Sequence, residues 1–119
     1  MAFYLLRAKL DHEFMKALVK RPEDRKQTAL KLLEGIGGKL HHYFYCFGDY
    51  DIVLIYENPD NITAAALSMV LTASDSVKEV ETTPLLTTEE ATAAMGQACD
   101  AMGLYEQPVA RAKKKNLDS

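Results

Sequence analysis

The sequence predicts an α+β fold of the ferredoxin-like type, in which the chain order β-α-β-β-α-β forms one antiparallel four-stranded sheet. Two observations support this prediction. Apolar and polar residues alternate in four short segments, and between those segments apolar residues recur every three or four positions. Proline and glycine interrupt the pattern where segments end. At 119 residues the chain is long enough for one domain with a modest core.

Each predicted element has its own start or stop signal. The helical pattern over residues 11–36 is broken internally by proline and ended by a glycine cluster. Asp60 or Asn61 is a suitable cap for a second helix. Thr87 and Glu90 have the spacing of a capping box, which predicts an extra C-terminal helix. The four predicted strands are residues 2–9, 39–47, 51–57 and 76–84.

Composition and charge exclude several classes of protein. A net charge of −3 and a pI of about 5.6 argue against nucleic-acid binding, because no basic face would attract phosphate. No apolar run approaches the ~20 residues of a membrane helix. The opening MAFYLLRAKLDHEF lacks the layout of a signal peptide. We expect a cytoplasmic protein with one folded domain at 1–108 and a polar, flexible tail at 109–119.

A turn motif separates the two central strands. Gly48, Asp49 and Tyr50 form a three-residue link containing glycine, which predicts a tight hairpin with a bulge. Asp51 follows the link directly and opens an apolar strand. Its carboxylate either accepts backbone N–H groups to stabilise the turn or takes part in chemistry, and the sequence leaves both interpretations open.

Alternation along the strands divides their side chains between two faces. The more apolar even-numbered set is expected to face the helices, and a bulge would exchange the two sets on one strand. The odd-numbered set mixes apolar, charged and phenolic groups, which suits an interface between the sheets of two subunits. The even set is Leu6, Ala8, Leu40, His42, Phe44, Cys46, Ile52, Leu54, Tyr56 and Val80. The odd set is Phe3, Leu5, Arg7, His41, Tyr43, Tyr45, Asp51, Val53, Ile55, Val77, Glu79 and Glu81.

Several motifs resemble those of one known family. They are GIGGKL at 35–40, YFYCFGDYDIVLI at 43–55 and ENPD at 57–60, with ETTPLLTTEE and GLYEQP further on. With these motifs the chain resembles the GYD domain family. The resemblance implies the fold and assembly of a dimeric α+β barrel, a group that includes monooxygenases, small-ligand sensors and heme-handling proteins. Unlike most family members, this chain has no glycine in its Ala-Ser-Asp-Ser segment at 73–76.

Candidate site residues come from the odd-numbered set. His41, Asp51 and Tyr43 would form a catalytic or ligand-anchoring group, with the carboxylate orienting the imidazole. Arg7, Tyr45 and Glu81 are candidates for ligand binding. Arg7 either pairs with Glu79 or Glu81 on the neighbouring strand or clamps an anionic ligand. The two tyrosines either pack at an interface or line a pocket for an aromatic ligand.

The sequence indicates no cofactor and no metal site within one subunit, and it leaves open a metal site shared between subunits. His41 and His42 are adjacent on a strand, so their rings are expected on opposite faces. Cys46 and Cys99 are far apart in sequence and lack CxxC spacing, so each is expected to be a small buried hydrophobic residue outside any disulfide. No P-loop, GxGxxG, GxSxG or zinc-finger spacing occurs.

The sequence therefore predicts a homodimer or higher symmetric oligomer that binds a small, partly apolar molecule, and it leaves open whether that molecule is anionic. The predicted site lies between sheet and helices or between subunits. Two alternatives stay open at this point. One is a cofactor-independent enzyme, similar to a monooxygenase or isomerase, that uses His41 and Asp51 for proton transfer. The other is an oligomerisation module with a filled interface and no pocket.

Overall fold

The computed structural model describes residues 1–110 in two units, of which the first runs from Met1 to Leu86 and the second begins at Thr87. In the first unit the strands are β1 (Ala2–Leu10), β2 (Lys39–Tyr45), β3 (Ile52–Asn58) and β4 (Val77–Leu85). Its helices are α1 (His12–Lys20), α2 (Lys26–Gly35) and α3 (Asn61–Ala73).

The four strands form one antiparallel sheet in the order β2-β3-β1-β4. β1 lies inside the sheet, where Arg7 is opposite Val53 of β3 on one side and Glu81 of β4 on the other. The chain order and this topology confirm the predicted α+β class with an antiparallel four-stranded sheet.

The core lies between one face of the sheet and the three helices. Apart from the half-buried Ala2, the even-numbered residues of β1 and β3 are buried, and Leu33 of α2 and Ala64 and Leu67 of α3 cover them. Fully burying a side chain of leucine size stabilises a fold by roughly 1.5–3 kcal/mol, so this layer supplies much of the stability. The face assignment predicted for these two strands is therefore confirmed.

Helix ends follow local side-chain signals. The Asp11 carboxylate accepts hydrogen bonds from the backbone N–H groups of Glu13 and Phe14, which caps α1. Asp60 caps α3 in a capping box with Thr63. α1 and α2 are separate helices, as the internal break in the 11–36 pattern predicts.

A bulge in β2 overturns the predicted faces on that strand. Leu40 is opposite Tyr56, yet the next partner pair is His42 with Ile55, so the strand holds one extra residue there. Beyond the bulge Tyr43 is opposite the buried Leu54, and Tyr45 opposite the buried Ile52. The prediction that the two tyrosines share a face with Arg7 is wrong, and so is the placement of His42 and Phe44 on the helix side.

A second irregularity, in the pairing of β1 with β4, changes the predicted face of Val77. The register shifts between Lys9 and Leu10, so that the buried Leu10 is opposite Val77. Val77 therefore packs against the core and does not share the face of Glu79, as the odd-numbered assignment predicted. The preceding turn, which has no glycine, places Asp75 in the left-handed conformation at φ 59°. Aspartate is among the few residues that tolerate this conformation.

The second unit contains α4 (Thr88–Ala101) and a short 3₁₀ turn (Met102–Leu104). Thr87 and Glu90 form the predicted capping box at the start of α4. Within residues 1–110, no helix has the length and apolarity to cross a membrane. Most of the tail predicted at 109–119 lies outside the described residues, and that boundary stays a prediction.

Candidate functional site

The turn between β2 and β3 is wider than the predicted three-residue link. β2 ends at Tyr45 and β3 begins at Ile52, and the intervening loop is closed by a 2.8 Å hydrogen bond from the Cys46 backbone N–H to the Asp51 carbonyl. Gly48 has φ 136°, a conformation that side chains rarely permit, so glycine is required there.

Both the side chain and the backbone of Asp51 form hydrogen bonds with the backbone of β1. Its Oδ2 accepts a 2.8 Å hydrogen bond from the Leu10 N–H, and its own N–H donates to the Ala8 carbonyl at 2.9 Å. These bonds correspond to the structural interpretation of Asp51, in which the carboxylate holds the turn in place.

His41 pairs with a different carboxylate from the one expected. Its Nε2 is 2.7 Å from Glu57 Oε2, and its ring lies 5.5 Å from the Phe3 ring. Asp51 directly precedes β3 and lies at least four residues before the segment that faces His41, about 13 Å away at ~3.3 Å per residue.

The three predicted catalytic residues are therefore not brought together. Tyr43 faces the helices, His41 contacts Glu57, and Asp51 binds the end of β1. The sequence did not identify Glu57 as the partner of His41, because their contact depends on the bulge in β2. A prediction of the β2–β3 register that placed the extra residue of β2 at His41 would have identified this contact.

A second polar cluster joins Arg7, Glu81 and Tyr50. Arg7 Nη2 is 2.6 Å from Glu81 Oε1, Tyr50 donates a 2.7 Å hydrogen bond to Glu81 Oε2, and the guanidinium lies 4.7 Å from the centre of the Tyr50 ring. The hydrogen bonds from Tyr50 and Arg7 hold the pKa of Glu81 below its ordinary value. Of the two pairings considered for Arg7, the structure contains the one with Glu81.

The opposite side of the sheet carries a cavity. It lies between the sheet and the helices, has a volume of about 70 Å³ and opens partly to solvent. Most of its lining is apolar. The lining residues are Leu10, Phe14, Leu18, Arg25, Thr28, Ala29, Leu32, Leu33, Tyr43, Tyr45, Ile52, Leu54, Leu67, Leu71, Ser76 and Val77.

Polar groups in this lining are few. The Arg25 guanidinium lies 5.1 Å from the centre of the Phe14 ring, and its Nη1 is 2.8 Å from Glu23 Oε1. The Tyr43 and Tyr45 rings are 5.4 Å apart. Burial, and then the neighbouring Tyr45 hydroxyl, raise the pKa of Tyr43 far above its ordinary value, so this hydroxyl stays protonated.

Metal ligands and thiols do not converge in the part of the chain that the structure describes. Residues 1–110 contain no group of three or more His, Cys, Asp or Glu side chains arranged to hold an ion. The bulge brings both His41 and His42 to the sheet face away from the helices, contrary to the prediction of opposite faces. Cys46 and Cys99 are both free, but the prediction that they are buried is wrong, because Cys99 is exposed and Cys46 is half-buried with its thiol donating to the Tyr50 carbonyl at 3.2 Å.

The sequence matches one family of known domains over most of its length. The family model described as the GYD domain matches residues 4–95. The chain belongs to the GYD domain family. No curated protein matches the sequence.

Two solved structures are similar to this GYD-domain chain. One is a protein from Agrobacterium tumefaciens, with 17% identity and a TM-score of 0.48 over 74% of this chain and 94% of that one. The other is an uncharacterized NIPSNAP-like domain protein from Burkholderia xenovorans, with 14% identity and a TM-score of 0.45 over 72% and 84%. Neither similarity assigns an activity.

The Gly-Asp-Tyr triplet has divided roles in this GYD domain. Gly48 supplies the backbone conformation of the loop, and Asp49 is exposed to solvent. Tyr50 leaves the turn to hydrogen-bond Glu81 on β4, across the sheet from the strands that the loop connects. The triplet therefore connects the β2–β3 loop to β4, the strand at the other edge of the sheet. Its prediction as a turn motif did not include this contact.

Proposed function

We propose that this GYD-domain protein binds a small, partly apolar molecule in the cavity between the helices and the sheet. The cavity itself is the observation that carries the proposal. Small-molecule sites are concave and mostly apolar, with a few polar groups that fix the orientation of the ligand. The lining of this cavity has that composition, with Arg25 and the Tyr43 and Tyr45 rings among its polar members.

The size of the cavity limits what can enter. A single water needs roughly 10–15 Å³, and an apolar cavity of about 150 Å³ holds benzene. The volume of about 70 Å³ therefore suits a few non-hydrogen atoms, and the rest of a ligand would lie in the opening.

We also propose that a second copy of the chain covers the other face of the sheet, which we call the open face. This face carries half-buried apolar side chains of β1 and β3 and the exposed Phe44 of β2. An antiparallel sheet tolerates one solvated face, but an apolar one gains from a partner, and most oligomers pair identical surfaces. The open-face residues are Phe3, Leu5, Arg7, His41, His42, Phe44, Val53, Ile55, Glu57, Glu79, Glu81, Thr83 and Leu85.

Filling the cavity tests the proposal. Ala29 of α2 lines the cavity, so Ala29→Met would place a longer side chain inside it. Ala17→Met on the exposed side of α1 is the matched control. With hexan-1-ol as the probe, ligand-observed NMR should detect binding to the natural protein and to the control, but not to Ala29→Met. Binding that survives the filling, or no binding to the natural protein, would contradict the proposal and favour an assembly module.

A second candidate function is acid–base catalysis on the open face. The 2.7 Å contact of His41 with Glu57 favours it, because a carboxylate that orients an imidazole is a common acid–base arrangement. This pair replaces the predicted one of His41 with Asp51. Turnover in a panel of small substrates, with a bell-shaped pH dependence that both His41→Asn and Glu57→Gln abolish, would support catalysis. A turnover that neither variant affects would exclude this pair.

A further inference from the structure

We propose that the cavity ligand is a small amphipathic carboxylate, with its apolar end inside the cavity and its charged end bound by Arg25. This inference rests on the proposed binding function and specifies the chemistry of the ligand. The sequence left open whether Arg7 pairs with a neighbouring glutamate or clamps an anion, and the structure pairs Arg7 with Glu81 on the face of the sheet opposite the cavity. The structure assigns that role to a different arginine.

Charge within the lining supports the proposal. Among the described residues that line the cavity, Arg25 alone carries a charged side chain. A cation at the edge of an apolar lining favours a ligand that is apolar at one end and anionic at the other, because the carboxylate of the ligand can take the place of the exposed Glu23. A purely apolar ligand would gain nothing from the cation, and a purely polar one would leave the apolar lining unused.

Arg25 has donors available for a ligand. A guanidinium carries five N–H donors, and the contact with Glu23 engages Nη1. Packing over the Phe14 ring restricts the side chain, so less rotamer entropy is lost when a carboxylate binds. Glu23 is 57% exposed, and an exposed ion pair contributes roughly 0–1 kcal/mol, so a ligand carboxylate can displace it at little cost.

The neighbouring backbone and hydroxyls add to anion binding. Arg25 is the N-cap residue of α2 and makes no capping hydrogen bond with its side chain. The positive end of the helix dipole lies there, and Thr28 in the first turn also lines the cavity. Asp24 accepts a hydrogen bond from the Lys26 N–H, so one helix-terminal donor is already occupied. The protonated Tyr43 hydroxyl is another potential donor.

The experiment compares two probes of similar length that differ in charge. We would measure the affinities of hexanoate and hexan-1-ol for the natural protein and for Arg25→Gln, with Arg21→Gln as the control. Arg21 is an exposed arginine of the same connecting segment that does not line the cavity. We expect Arg25→Gln to weaken hexanoate binding at least tenfold while hexan-1-ol binding stays unchanged, and Arg21→Gln to change neither.

Each outcome separates this inference from the proposed function. If both probes bind and Arg25→Gln leaves the hexanoate affinity unchanged, Arg25 does not bind the carboxylate. The proposal that the cavity binds a small molecule then still holds. The same conclusion holds if Arg21→Gln weakens hexanoate as much as Arg25→Gln does. If neither probe binds the natural protein, the cavity is not a site and both proposals fail.

Discussion

The Oδ2 atom of Asp51 accepts a 2.8 Å hydrogen bond from the backbone N–H of Leu10. This bond joins the start of β3 to the end of β1, where the register of β1 with β4 shifts. A regular ladder cannot satisfy every backbone group at such a shift, and a side chain has to supply the missing acceptor.

Replacing Asp51 should lower stability. Asp51→Ala leaves the partly buried Leu10 N–H without its acceptor, a loss on the order of 1–3 kcal/mol. Asp51→Asn keeps an acceptor oxygen and should lose less. Urea unfolding would measure both, with Asp49→Ala in the same exposed loop expected within about 0.5 kcal/mol of the natural protein. If Asp51→Ala is as stable as that control, Asp51 has no structural role in the turn.

Gly38 should be intolerant of any side chain. A Cβ at this position would collide with Asn58 Oδ1 and lie 2.7 Å from the Glu57 carbonyl oxygen, and the backbone oxygen cannot move aside cheaply. Gly38→Ala should therefore destabilise the protein by roughly 1–3 kcal/mol, the usual range for overpacking.

Gly35 provides the matched comparison for Gly38. It is the last residue of α2, and an added Cβ there meets nothing within 4 Å. Gly35→Ala should be neutral or stabilising by about 0.5–1 kcal/mol, because alanine loses less backbone entropy in a helix. The melting temperature of Gly38→Ala should fall, and that of Gly35→Ala should stay the same or rise. Equal falls in both variants would contradict this account of Gly38.

The Glu81 cluster should contribute stability that depends on pH. Because Tyr50 and Arg7 hold the folded pKa of Glu81 below its ordinary value of 4.5, the unfolded chain binds a proton more readily. The contribution is fully present above pH 4.5 and is lost as the pH falls through the lowered pKa.

The variants Glu81→Gln and Tyr50→Phe test this dependence. Between pH 6 and 3, the melting temperature of the natural protein should fall more than that of Glu81→Gln, and Tyr50→Phe should show an intermediate fall. Added salt should reduce the difference, since the pair is partly exposed. Parallel pH profiles for all three proteins would show that the cluster adds no pH-dependent stability.

The open face should carry the contact between subunits. Ile55→Asp places a charge in the middle of this face, and Phe44→Asp does so at a more exposed position that is less able to disturb the fold. We expect sedimentation velocity to show an oligomer for the natural protein and a monomer for both variants. Ile62→Asp, at a 79% exposed position of α3, should leave the oligomer intact. A monomeric natural protein would contradict the assignment.

Element positions could be predicted from the sequence because their signals are local. Caps such as Asp60 and Thr87, the glycines after α2 and the alternation in β1 and β3 all act within a few residues. The burial pattern of those two strands follows directly from their alternation.

The site was harder to predict because it depends on pairings between distant residues. Tyr50 with Glu81 and His41 with Glu57 are contacts across strands, and one extra residue in β2 changes which side chains can meet. Nothing in HHYFY marks where the bulge lies, since either histidine could be the additional residue. Arg25, which we propose as the anion-binding residue, was not a sequence candidate because its position in the cavity lining depends on how the helices and the sheet pack.

The β2 bulge makes this segment sensitive to chain length. Deleting one residue at 41–42 would remove the bulge and leave the two tyrosines facing the cavity, whereas a deletion beyond the bulge would exchange the cavity face and the open face for the rest of β2. A single-codon deletion beyond the bulge could thus change the lining of the cavity and the character of the open face together, without altering any other residue. Sequence alignments of related domains should accordingly be checked for gaps at this point before residues are equated across them.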